Sequence, residues 1–108
     1  MSYPENVVNQ MEKLELSEVV INNIWTILEK LKDSQALYNV GISPDEDGVI
    51  LQWPRFGTFC AVYENKAIIH LVKEDQILAY KYDTSHKEYY LTDDLLIADL
   101  KNNLVKLV

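Results

Sequence analysis

Two stretches in the N-terminal third of the chain repeat apolar residues at the spacing of an α-helix. The apolar positions of the second stretch recur every three or four residues and share one helix face: Val20, Ile24, Ile27, Leu28 and Leu31. Ser17 precedes them and is a favourable N-cap, because its hydroxyl accepts from free first-turn amides. Earlier, Ser2 and Glu5 form an S-x-x-E capping box. We therefore predict helices over residues about 3–15 and 18–32.

From residue 37 the hydrophobic period changes from about 3.6 to two, which is typical of strands with one buried face. The connections between the alternating segments are short enough to join antiparallel neighbours. The pattern predicts a five-stranded antiparallel meander over residues about 37–43, 49–53, 58–63, 67–73 and 77–82.

A last helix is predicted over residues about 93–106. Thr92 is a suitable N-cap, and Asp93 and Asp94 would occupy the first turn, where the positive end of the helix dipole favours acids. One leucine face follows: Leu96, Leu100, Leu104 and Leu107. Two helices, a sheet and a helix indicate a single α+β domain over residues 1–108, with the helices packed on one sheet face.

The chain is acidic, with 17 Asp and Glu against 10 Lys and Arg and a formal charge of −7. Such a charge opposes direct binding to nucleic acid or to anionic membranes, and it suits a basic protein partner. The alternative is that the charge only keeps the protein soluble. No apolar run approaches the ~18 residues of a membrane span, and a single cysteine excludes an internal disulfide. These features predict a cytoplasmic protein.

The segment Asp45-Glu46-Asp47-Gly48 is the most site-like stretch of the sequence. We interpret it mainly as the turn between two strands, in which Gly48 supplies a positive φ. A calcium loop is the alternative, but the closing glutamate of such a loop would fall at Pro54, which has no ligating side chain.

Enzyme chemistry finds little support in the sequence. Cys60 and His70 are conceivable as nucleophile and base on adjacent strands, but Cys60 lies in an apolar segment where cysteine is usually buried. Zinc is not expected, because one cysteine and two widely spaced histidines, His70 and His86, do not supply four ligands. Phosphate-binding and serine-hydrolase motifs are absent. We predict no catalytic residue, no cofactor and no metal.

A second group of tyrosines and acids surrounds the start of the last helix. Tyr89 and Tyr90 stand just before Asp93 and Asp94. Tyrosine is enriched at protein interfaces, so these four residues, together with the acids at 45–47, form the predicted partner-binding surface. The alternative is that the alternating Tyr80 and Tyr82 fill the sheet core while the acids cap the helix.

The segment P-D-E-D-G-V-I-L-Q-W, Pro44 to Trp53, resembles a hairpin of small uncharacterised bacterial proteins with the pattern P-x-x-[DG]-G-x-x-L-x-W. Those proteins also tend to carry an I-W or L-W pair in a preceding helix, as Ile24-Trp25 does here. The resemblance implies a partner of other small proteins, in a toxin and antitoxin pair.

From these features we predict a non-enzymatic binding domain that neutralises a basic protein by occlusion, of the antitoxin, immunity or anti-defence type. A structural module, either a homodimer or a subunit of a larger complex, is the alternative. An enzyme acting on a small non-ionic substrate is a more distant third.

Overall fold

Three helices and one antiparallel sheet make up the computed structural model, which describes residues 4–32, 40–75, 77 and 80–104, with the backbone alone at 74, 75, 80, 82 and 84. The helices are α1 (Glu5–Glu12), α2 (Glu18–Lys30) and α3 (Asp94–Leu104). The strands are β1 (Gly41–Pro44), β2 (Val49–Trp53), β3 (Thr58–Val62), β4 (Lys66–Asp75) and β5 (Tyr80–Tyr90). The predicted α+β class is confirmed.

The observed N-cap residues of α1 and α2 agree with the predicted ones only in part. Ser17 is the N-cap of α2 as predicted, and its hydroxyl accepts from the Val20 amide at 3.4 Å. For α1 the N-cap is Pro4, which has no side-chain acceptor, and the helix begins at Glu5. The other half of the predicted capping box, Ser2, lies outside the described residues.

The strand order is β1-β2-β3-β4-β5, so each strand pairs with its neighbours in sequence. One row of paired residues crosses all five strands: Pro44, Val49, Val62, Ala67 and Tyr89. Because this row lies at the strand termini, the β1–β2 loop, the β3–β4 turn and the C-terminal end of β5 are at the same end of the sheet.

The last strand is much longer than the sequence pattern indicates. The predicted strand ends at about residue 82, whereas β5 continues to Tyr90 and pairs with β4 from residue 66 onwards. The polar run is compatible with a strand because β5 lies at the sheet edge and most of its described side chains are exposed. Backbone pairing with β4 stabilises the strand. At the other edge, β1 begins at Gly41, and the predicted residues 37–39 lie outside the described part.

All three helices pack on one face of the sheet and share a single core. Helix α1 contacts β1, α2 contacts β3 and α3 contacts β5. The largest fully buried side chains come from both layers: Trp53, Ile24, Leu28, Leu31, Leu51, Leu96 and Leu100. The opposite sheet face, called the outer face here, carries Ile50, Phe59 and Ile68, which are half-buried and do not belong to this core.

The predicted role of Gly48 is wrong in its physical detail. Among the described glycines, the positive φ belongs to Gly57, at +59°, where the chain leaves the short 3₁₀ turn Pro54–Phe56. Gly48 is required for a different reason, since a Cβ at this position would overlap the backbone carbonyl of Val62. Close approach of two strands therefore selects glycine here.

Candidate functional site

The loops at one end of the sheet bring together carboxylates from distant parts of the sequence. This group is called the acidic end here and comprises Asp45, Glu46, Asp47, Glu64, Glu88, Asp93 and Asp94. The strand register places the group at this end, because each of these residues is within five positions of a member of the row that ends at Tyr89. With strands about 4.8 Å apart, the β1–β2 loop and the end of β5 are roughly 15–19 Å from each other. The two predicted acidic segments therefore lie at the same end of the sheet.

Helix α2 joins this surface through its first turns. The Asn23 side-chain amide donates to the carbonyls of Tyr63 and Glu64, at 2.8 and 2.9 Å. The Ser17 hydroxyl lies 3.5 Å from the Glu64 carboxylate and donates to it. These contacts fix the β3–β4 turn against the N-terminal half of α2, so the exposed Glu18 and Val19 also lie near the acidic end.

The acidic segments 45–47 and 93–94 form no ion pair within the described part of the chain. The ion pairs there are Lys32–Glu29 and Lys66–Glu88, together with contacts of Asp83 to two histidines. None of them includes the acids at 45–47 or at 93–94. The Glu88 carboxylate accepts a hydrogen bond from Lys66 and thereby raises the lysine pKa.

Tyr63, between β3 and β4, lies beside one of these acids. The Tyr63 hydroxyl donates to the Asp45 carboxylate at 3.4 Å. Desolvation raises the Tyr63 pKa most, and the charge of Asp45 and the hydrogen bond to it raise it further, because both disfavour a phenolate beside an existing anion.

The two tyrosines predicted to bind a partner face opposite sides of the sheet. Tyr90 is 78% exposed, whereas Tyr89 is 4% exposed and donates a hydrogen bond to the Asp99 carboxylate on α3. Tyr89 therefore supports the core and is not available to a partner. Leu95, in the first turn of α3, is a further apolar side chain that is 58% exposed.

Asp93 has a structural task as well as a charge. Its carboxylate accepts from the Leu95 amide at 2.9 Å, and its own amide donates to the Tyr90 carbonyl. Asp93 thus caps α3, in the place where the sequence predicted Thr92. Asp94 follows as the exposed first residue of the helix, which ends at Leu104. The predicted helical residues 105 and 106, and Leu107 of the leucine face, lie outside the described part.

A second group of side chains lies on the outer face and was missed by sequence reasoning. His70 on β4 is directly opposite His86 on β5, and their ring centroids are 4.4 Å apart. Asp83 Oδ2 lies 3.0 Å from His70 Nδ1 and 3.6 Å from His86 Nδ1. The hydrogen bond with His70 is the largest cause of the lowered pKa of Asp83. The two histidines are 16 residues apart in sequence, so only knowledge of the β4–β5 register could have paired them.

The conceivable Cys60–His70 pair does not form. Cys60 is opposite Ile69 and faces the core, whereas His70 is opposite Phe59 and faces outwards. Burial raises the pKa of the Cys60 thiol to about 12. The side chain therefore behaves as a small core residue and is not an activated nucleophile.

Comparisons with known proteins place no relative beside this chain: no family model, curated protein or solved structure matches it. Within the described residues, no helix combines the length and the apolar character that crossing a membrane requires.

Proposed function

We propose that this protein binds a basic protein partner through the acidic end and inhibits it by covering its cationic site. The observation that supports the proposal is that Asp45, Glu46, Asp47, Asp93 and Asp94 lie at the same end of the sheet, outside any ion pair of the described residues. The hairpin resemblance to proteins of toxin and antitoxin pairs is consistent with this role.

The surface combines the two properties that protein recognition uses. Its carboxylates attract a Lys- and Arg-rich partner from a distance and raise the association rate. Three exposed apolar side chains supply surface that would be buried on binding: Tyr90, Leu95 and Val19. The charges therefore set mainly the association rate, and the buried apolar side chains set mainly the dissociation rate.

The test is affinity capture from the native host with the full chain and with the triple variant Asp45→Asn, Glu46→Gln, Asp47→Asn. A matched control carries Glu5→Gln, Glu12→Gln and Glu29→Gln, which change the net charge equally at exposed helix positions. We expect the native chain and the control to retain the same basic protein, released by moderate salt. The triple variant should retain at least about tenfold less, since several desolvated charge contacts are lost.

Two outcomes would contradict the proposal. One is a partner that the triple variant and the control retain equally, because the acids at 45–47 would then contribute nothing specific. The other is a set of captured proteins without a basic member. The binding free energy that the acids at 45–47 contribute should also appear as a faster association rate at low salt. Biosensor measurements on the purified pair resolve this rate.

A homodimer is the second candidate, and the outer face favours it. Ile50, Phe59 and Ile68 form a partly exposed apolar patch there. Sheet faces of this kind commonly pack against another layer. Sedimentation equilibrium over a concentration series would detect the dimer, and Phe59→Lys should abolish it while Asp45→Asn leaves it unchanged.

A further inference from the structure

Three side chains on the outer face have the donor set of a transition-metal site. His70, Asp83 and His86 each offer one ligand atom, and these atoms all lie within 4.8 Å of one another. Donors in a tetrahedral zinc site with bonds of about 2.0–2.1 Å are roughly 3.3 Å apart. The distances from the Asp83 carboxylate to the two imidazole nitrogens, 3.0 and 3.6 Å, are close to this value.

A β-bulge is what gives the three residues a common face. Residues 83 and 86 are separated by three, so a regular strand would direct them to opposite faces. In β5 the register shifts: Leu71 pairs with Ser85, but Val72 pairs with Asp83. The one extra residue of β5 reverses the alternation and turns Asp83 towards the two histidines. Bulges of this type commonly redirect side chains at functional sites.

A backbone hydrogen bond also orients the Asp83 carboxylate. Asp83 Oδ1 accepts from the Ser85 amide at 3.2 Å, which leaves Oδ2 for the histidines. Such backbone support orients a metal ligand and reduces the ordering cost of binding. Paired strands hold the other two ligands, since His70 and His86 lie directly opposite each other.

The ligand types select the class of ion. Two imidazoles and one carboxylate suit Zn²⁺ and neighbouring first-row divalent ions, whereas Ca²⁺ and Mg²⁺ prefer oxygen ligands alone. We infer that His70, Asp83 and His86 form a binding site for one divalent transition-metal ion, with Zn²⁺ as its representative. Three protein ligands leave a coordination position for water or a small ligand, as in catalytic zinc sites. The partial exposure of all three side chains, between 29% and 59%, gives the ion access.

Two charged residues of β5 flank the site, one of each sign. Two residues before Asp83 is Lys81, and two residues after His86 is Glu88, which is already paired with Lys66. This inference is independent of the proposed partner binding, which uses the acids at the end of the sheet.

The test is titration of the full chain with Co²⁺, whose visible absorption reports nitrogen and oxygen coordination, and with Zn²⁺ by calorimetry. His86→Gln and Asp83→Asn each remove one ligand, and Asp83→Asn keeps an oxygen that can accept from Ser85. The control Asp45→Asn with Asp47→Asn removes two exposed carboxylates elsewhere. Far-ultraviolet circular dichroism verifies that each variant is folded.

We expect one saturable ion per native chain and per control chain, and affinity lower by at least about tenfold in both ligand variants. The imidazole NMR signals of both histidines should shift together up to one equivalent of Zn²⁺, because the chain contains two histidines and both are ligands. Equal binding by native chain and ligand variants would mean that ions sit on scattered carboxylates. That result, or the absence of saturable binding at micromolar concentrations, would overturn the inference and leave a hydrogen-bonded His–Asp cluster.

Discussion

Tyr89 and Tyr90 are consecutive on β5, yet one is 4% exposed and bonded to Asp99 while the other is 78% exposed. Strand alternation separates them, so a core residue and a surface residue are covalent neighbours. The same substitution can therefore be compared at a buried and at an exposed position.

The substitution Tyr89→Phe should destabilise the fold by about 1–3 kcal/mol, because the half-buried Asp99 carboxylate loses its donor. Tyr90→Phe should change stability by less than about 0.5 kcal/mol, as exposed substitutions usually do. Urea unfolding of both variants measures the difference. Equal stabilities would show that the Tyr89–Asp99 hydrogen bond contributes nothing.

Asn23 attaches the β3–β4 turn to α2, and Asn23→Ala removes the donor of two hydrogen bonds. We expect a loss of about 1–3 kcal/mol, at about 0.5–1.5 kcal/mol for each bond. Asn22→Ala is the control, since it makes the same change at an exposed position of the same helix. If both variants unfold at the same urea concentration, the turn is held by other contacts.

Gly48→Ala should destabilise the protein by about 1–3 kcal/mol, because the added Cβ would overlap the Val62 carbonyl and force the strands apart. At Gly41 the nearest atom to an added Cβ is Gln52 Cβ at 3.5 Å, an ordinary contact. Gly41→Ala should therefore be neutral or stabilising by up to about 1 kcal/mol. Thermal unfolding of the two variants decides between the two effects, and a stable Gly48→Ala protein would refute the packing argument.

Cys60 should be unreactive in the native protein. Burial raises its thiol pKa to about 12, and the reactive thiolate is accordingly scarce at neutral pH. We expect an aromatic disulfide reagent to modify the native chain only through unfolding, and rapidly in concentrated urea. Fast stoichiometric labelling in native buffer would instead reveal an accessible thiolate.

The pH dependence of stability should carry a signature of Tyr63 on the alkaline side. Its folded pKa is raised, so the folded state retains this proton better than the unfolded state. The resulting stabilisation is fully present below the ordinary value of about 10 and disappears as pH rises through the folded pKa. In Asp45→Asn the phenol pKa should fall towards its ordinary value. Tyrosinate absorbance titrations, with Tyr63→Phe to identify the signal, would detect the shift, and an unchanged titration would contradict it.

The sequence anticipated most of the fold because its signals are local. The apolar stripe of α2 and its Ser17 cap need no information from the rest of the chain. The same holds for the alternation in β2, whose residues are buried and half-buried in turn. The polar half of β5 escaped prediction because edge-strand pairing depends on the partner strand, and the local sequence has no apolar alternation there.

The candidate sites divide in the same way. Sequence alone determined the acidic charge, the turn at 45–48 and the helical and strand periods, since each follows from residues close together in the chain. Tertiary structure decided that two distant acidic segments lie at the same end of the sheet, that Tyr89 is buried while Tyr90 is not, and that His70 faces His86. Those relationships depend on strand register, and one bulge residue is enough to move a side chain from one face to the other.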